Sequence, residues 1–169
     1  MIFDGQWKRE LRKLSREITF WHKMTMFSHI AEHRLNRAIL YSVIILRKVM
    51  EAEKEAEDII AKNELPKMSF ELLHAKIATT QHPYMAEKGW TVRGNFRADD
   101  YGRGEPISLD AQLMCHWLIH SCIWSLVRND KRYSGFAVAS DRKRETHIHY
   151  VMFDEWLQLI KLAIKQATC

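Results

Sequence analysis

Apolar residues recur at helical spacing in the first part of the chain. Trp7, Leu11, Leu14, Ile18 and Trp21 fall on one stripe at about 100° per residue, which predicts an amphipathic helix. Ser28 is suited to cap a second, long helix running to about Lys62. Ala31, Leu35, Ala38, Val49, Ala56 and Ile60 form its core face, and Leu40 and Ile44 carry apolar surface round to the other side. The centre of this helix is therefore expected to be covered by neighbours on all sides. Residues 70–77 fit a short helix. Pro83, Gly89, Gly94, Gly102, Gly104 and Pro106 punctuate a looped stretch, with short strands expected near 90–92. Ser108 is suited to cap a third helix over 109–127, which is apolar nearly all the way round and so belongs at the centre of a domain. Two β-rich runs, 135–140 and 146–153, flank a short polar turn and read as a hairpin. Asp154 is suited to cap a last helix with Trp156, Ile160 and Ile164 on one face. The pattern predicts a predominantly helical α+β fold. Four or five helices surround the buried central helix 109–127, with a small β-hairpin at about 134–153, in a single domain spanning 1–169.

Composition supports an ordered chain. Its 169 residues suffice for a core without metal or disulfide staples. With 47% hydrophobic residues but only six Gly and three Pro, an ordered chain without long disorder is expected. The cysteines, Cys115, Cys122 and Cys169, are odd in number and lack paired spacing, so free thiols and a cytoplasmic protein are expected. No apolar run approaches the roughly 20 residues of a membrane span, and residues 1–16 lack the apolar region of a signal peptide.

Charge changes the picture most at the first helix. Residues 7–23 hold six basic and two acidic side chains, a local +4 in a chain of formal charge +5. Lys8, Arg9, Arg12, Arg16 and Lys23 stand roughly opposite the apolar stripe. An anionic partner meets such a surface first: RNA or DNA, or an acidic protein. Arg93, Arg97, Arg103, Arg128, Lys131, Arg132 and Arg142–Arg144 add cations, with Phe96, Tyr101 and Tyr133 nearby for stacking. Residues 49–60, by contrast, carry −4. The expected function is a small cytoplasmic binding protein with a basic surface, nucleic acid being the first partner to test. The signatures of P-loop, dinucleotide-binding, C-x-x-C and G-x-S-x-G proteins are missing, which disfavours nucleotide-hydrolysing and nicotinamide enzymes of standard type.

Histidines supply the candidate chemistry. His29, Glu32 and His33 spell H-x-x-E-H, the order found in inverted zinc proteases. His116 and His120 stand four apart, and with Gln112 they make a polar stripe on the predicted central helix. If buried, each must find a partner or cost about 1–3 kcal/mol. His147 and His149 share one face of a strand, and His149 joins His116 and His120 in a candidate polar or metal site if the hairpin packs on that helix. Which ion, if any, stays open, and no cofactor is called for. Arg47 and Glu51 are spaced for an ion pair within the second helix.

Arg142 and His147 have the spacing R-x4-H, which resembles the R-x4-6-H signature of HEPN ribonucleases, also small helical domains. The resemblance implies a metal-independent ribonuclease. Arg142 would act through charge on the RNA phosphate and His147 through proton transfer. A third reading is a protein-interaction module of accessory, immunity or regulatory type, with the basic helix and the acidic end of the second helix as docking faces.

Overall fold

The computed structural model describes residues 5–25, 27–64, 69–83, 104–129, 131–140 and 147–166, apart from the side chains of residues 122, 123 and 140. Helix α1 runs Gly5–Lys23 and α2 His29–Lys62. Strands β1 (Lys76–Pro83) and β2 (Glu105–Asp110) follow, then α3 (Ala111–Ile119), β3 (Ser121–Arg128), β4 (Tyr133–Ser140), β5 (His147–Met152) and α4 (Phe153–Gln166).

The expected small hairpin is corrected to a five-stranded antiparallel sheet of order β2-β1-β5-β4-β3. The two runs read as a hairpin do pair, Phe136 with Val151 and Val138 with His149, but they form the middle of the sheet. The expected central helix 109–127 is corrected as well. Ser108 lies in β2 opposite Ala78, Asp110 is the residue before α3, and the chain leaves the helix at His120 to enter β3. The second half of this apolar run alternates: Trp124 and Leu126 sit opposite Val138 and Phe136, and Ser125 and Val127 point to the other side. An apolar run fits a buried helix or a buried strand equally well, and here pairing with β4 decides. The short helix expected at 70–77 is a turn leading into β1. The strands expected near 90–92 lie outside the described residues.

The helices and one face of the sheet share a single core. Phe136, Val138 and Val151 join Leu11, Leu35, Leu46 and Ile160 in it. Trp156 is fully buried, packs edge-on against Phe136 at 5.5 Å, and donates its indole N–H to Ser42 Oγ at 2.9 Å. Ser42 in turn donates to the Ile39 carbonyl at 2.7 Å, so this polar pair inside the core is satisfied. Gly135 is required for contact between β4 and β5, since a Cβ there would run into the Val151 carbonyl oxygen and the Tyr150 ring. Val127, Ala137, Ala139 and Ile148 are buried too, although they stand outside the main core cluster.

Two helix starts have clear local causes. Ser28 has extended backbone and its Oγ accepts from the Ala31 amide at 3.0 Å, an N-cap for α2. Helix α4 already begins at Phe153, so Asp154, expected as its cap, lies with Glu155 in the first turn, where both suit the positive end of the dipole. The centre of α2, expected to be covered all round, is not: Leu40, Tyr41 and Ile44 face outward. Among the described residues no helix is long and apolar enough to cross a membrane.

Candidate nucleic-acid interface

Helix α1 is divided sharply by burial. Leu11, Leu14, Ile18 and His22 are buried against the core. His22 fixes the helix end, its Nδ1 lying 2.7 Å from the Tyr133 carbonyl, which makes that nitrogen the donor. Arg9, Arg12, Lys13, Arg16 and Lys23 are exposed, and Lys8 is partly so. None of these six cations has an ion-pair partner among the described residues. At 100° per residue they span one arc that holds no carboxylate. The acids of the helix, Glu10 and Glu17, lie on its flank. Glu17 is drawn to α2, where it meets Arg37 at 3.1 Å and Arg34 at 3.6 Å.

An aromatic stands within the cationic arc. Phe20 is 57% exposed and is held upright by an edge contact with Trp21 at 5.0 Å. Ser15, Arg16, Thr19, Phe20, Lys23 and Met24 line a shallow groove of about 530 Å³. Sequence reasoning missed Phe20, although its spacing of four from Arg16 placed it on the cationic side.

The other predicted cations are less free. Arg128 lies over the rings of Phe27 and Tyr133, at 4.7 and 5.2 Å, donates to the Tyr133 hydroxyl at 3.2 Å, and approaches Glu32 at 3.9 Å. It is a structural cation, and Tyr133 is buried, so neither serves stacking. Burial also pushes the Tyr133 phenol up from its ordinary range, against the pull of Arg128. Lys131 and Arg132 are exposed beside Tyr133, at the end of α1 that His22 anchors. Arg93, Phe96, Arg97, Tyr101, Arg103 and Arg142–Arg144 lie outside the described residues.

The histidine constellations separate. Gln112 and His116 on α3 and His120 just past its end are exposed, the two imidazoles 4.6 Å apart, so they carry no burial penalty that a ligand must relieve. This corrects the polar stripe expected on a buried helix: α3 is short and turns that side to solvent. His149 is buried on the core side of the sheet and stacks on Trp117 at 4.7 Å. It does reach α3, on a different side from His116 and His120. His29 and His33 are exposed, with Glu32 partly engaged by Arg128. No group of three or more His, Cys, Asp or Glu suited to a metal occurs among the described residues. His147 begins β5 opposite Pro83, and Arg142 lies outside the described residues. Cys115 is fully buried and its thiol is pushed up to about 12 by burial, which makes it an inert core residue.

A second concavity, about 730 Å³, opens between α2 and the start of α3. Its charges largely neutralise one another. Arg47 donates to Glu51 at 2.8 Å, Lys48 reaches the same carboxylate at 3.1 Å, and His74 meets Glu57 at 3.1 Å. Hydrogen bonds from Arg47 and Lys48 hold the Glu51 carboxyl below its ordinary range. The cleft offers no concentrated charge of one sign.

Comparison with protein-family models, with curated proteins and with solved structures finds no match. The R-x4-H likeness therefore rests on the spacing of two residues alone.

Proposed function

We propose that the protein binds single-stranded nucleic acid along the outward arc of α1. The observation that carries this reading is the set of exposed cations, without ion-pair partners among the described residues, on an arc free of carboxylates and interrupted by an exposed aromatic. Cations four residues apart lie about 6 Å apart along a helix, so Arg12 and Arg16 can meet successive phosphates. Phe20 offers a face for an unstacked base between Arg16 and Lys23. Lys131 and Arg132 lengthen the track. An anionic membrane surface fits less well, because a helix lying in that interface needs its apolar stripe, and the core already uses Leu11, Leu14 and Ile18.

The test is equilibrium binding of end-labelled single-stranded RNA and DNA across a salt series, read also on denaturing gels. With three or four phosphate contacts, the logarithm of affinity should fall against the logarithm of salt with a slope of roughly −2 to −3. Reversing both charges in R12E/R16E should flatten that slope by about 1.4. Phe20→Ala should weaken binding by about 1–3 kcal/mol while leaving the slope unchanged. An unshifted strand at low salt overturns the proposal. Cleavage that disappears in His147→Ala would replace it with the ribonuclease reading.

A further inference from the structure

The outer face of α2 carries a second pattern, independent of the nucleic-acid reading. Ile30, Arg37, Ile44 and Glu51 recur every seven residues, and Arg34, Tyr41, Lys48 and Glu55 recur every seven between them. Alternating steps of three and four keep these eight side chains on one nearly straight seam, the spacing by which one helix packs along another. The seam faces away from the core of its own chain: Ile30, Tyr41 and Ile44 are 65%, 56% and 50% exposed.

The charges on the seam are ordered end to end. Its first half is basic at Arg34 and Arg37, and its second half is acidic at Glu51 and Glu55, with Asp58 beyond; Lys48, the one seam cation in that half, is held on Glu51 within the chain at 3.1 Å. Ile44 is the centre. Arg37 stands seven residues before it and Glu51 seven after, and Arg34 and Glu55 stand ten before and eleven after. Ile30 and Ile59, both exposed, end the seam at fourteen and fifteen residues from the centre. A two-fold axis through Ile44 therefore sets Arg37 of one copy by Glu51 of the other, Arg34 by Glu55, and Ile30 by Ile59. A parallel pair would set arginine on arginine and glutamate on glutamate.

We infer that the outer face of α2 is a homodimer surface on which two copies of this chain pack antiparallel about Ile44. An isologous contact must be self-complementary, and this seam is so in both charge and apolar position. The intrachain pairs leave room for it. Arg34 and Arg37 share Glu17 yet remain 46% and 41% exposed, and Glu51 remains 38% exposed beside Arg47 and Lys48. With charged residues at half or more of the seam, association should be modest and sensitive to salt.

The experiment is sedimentation velocity of the full chain, freed of nucleic acid, over a concentration series up to about 1 mM at low salt. The mass should rise from 20.1 kDa towards twice that value. Ile44→Asp, at an exposed position, should keep the thermal melt and remain monomeric. R37E and E51R should each weaken self-association about tenfold or more. Mixing R37E with E51R should restore a one-to-one dimer, because each brings the charge the other lacks. A monomer throughout the series overturns the inference. So does a dimer indifferent to Ile44→Asp, or a mixture of R37E with E51R that stays apart. Loss of nucleic-acid binding leaves these outcomes untouched.

Discussion

Helices α1 and α2 pack side by side, yet their outer faces use charge in opposite ways. The arc of α1 gathers six cations and no acid, and none has an ion-pair partner among the described residues. The seam of α2 divides its charge by position along the axis and satisfies part of it within the chain. A surface of one sign repels a copy of itself and attracts a polyanion. A surface with both signs in mirrored order attracts its own copy turned round. The difference teaches that net charge alone says little about a partner. The order of charges along an element, and whether the fold has already paired them, says more.

The contrast breaks most completely if both helices lose their support. Trp156 packs from α4 against the sheet and hydrogen-bonds Ser42 of α2. Trp156→Ala should cost about 3–5 kcal/mol, read by chemical denaturation, and should weaken both surfaces together. The sharpest separation comes next. R9E/R12E/R16E should lower affinity for single-stranded nucleic acid about 100-fold at moderate salt while leaving sedimentation unchanged. Ile44→Asp should do the reverse. A variant that moved both readouts would merge the two surfaces into one.

Smaller effects test how α2 is held. Ser28→Ala removes the N-cap and should cost about 1 kcal/mol in the same denaturation measurement, with the basic half of the seam fraying first by hydrogen exchange. The mildest probe is pH. Glu53 is buried on the inner side of α2, and burial pushes its carboxyl up, against the hydrogen bond it accepts from the Leu73 amide at 2.7 Å. A raised folded value means that the stability it contributes is full below its ordinary 4.5 and is lost as pH rises through the raised value. Glu53→Gln keeps an acceptor for Leu73 and should remove that pH dependence. The gain over the native chain should therefore appear only above this window, in unfolding curves taken on both sides of it.

Much of α1 and α2 was legible in the chain. The stripe from Leu11 to Ile18, the Ser28 cap and the end of α2 at Lys62 depend on spacing and on hydrogen bonds within a few residues. The cationic residues of α1 were legible for the same reason. Their lack of ion-pair partners among the described residues was not, because it required knowing that Glu17 turns to Arg34 and Arg37 across the helix pair. The histidines misled in the same way. His116 and His120 read as buried because the run around them is apolar, but α3 ends at Ile119 and turns them to solvent. The self-complementary seam of α2 was present in the spacing from Ile30 to Glu55. It gained meaning only when Tyr41 and Ile44 proved to be uncovered.

The sequence by itself determined the long helices, the Ser28 cap of the second and the segregation of charge along them, since these follow from a 3.6-residue period and from groups close in the chain. Tertiary structure alone decided that the apolar run after Asp110 divides into helix and strand, that the supposed hairpin is the middle of a five-stranded sheet, and which charged and apolar side chains stay exposed. Strand pairing joins residues far apart, Trp124 to Val138 and Thr80 to Tyr150. Such pairs are stabilised only when the whole sheet and the helices packed on it close together, so their energy leaves little trace in any short window of sequence.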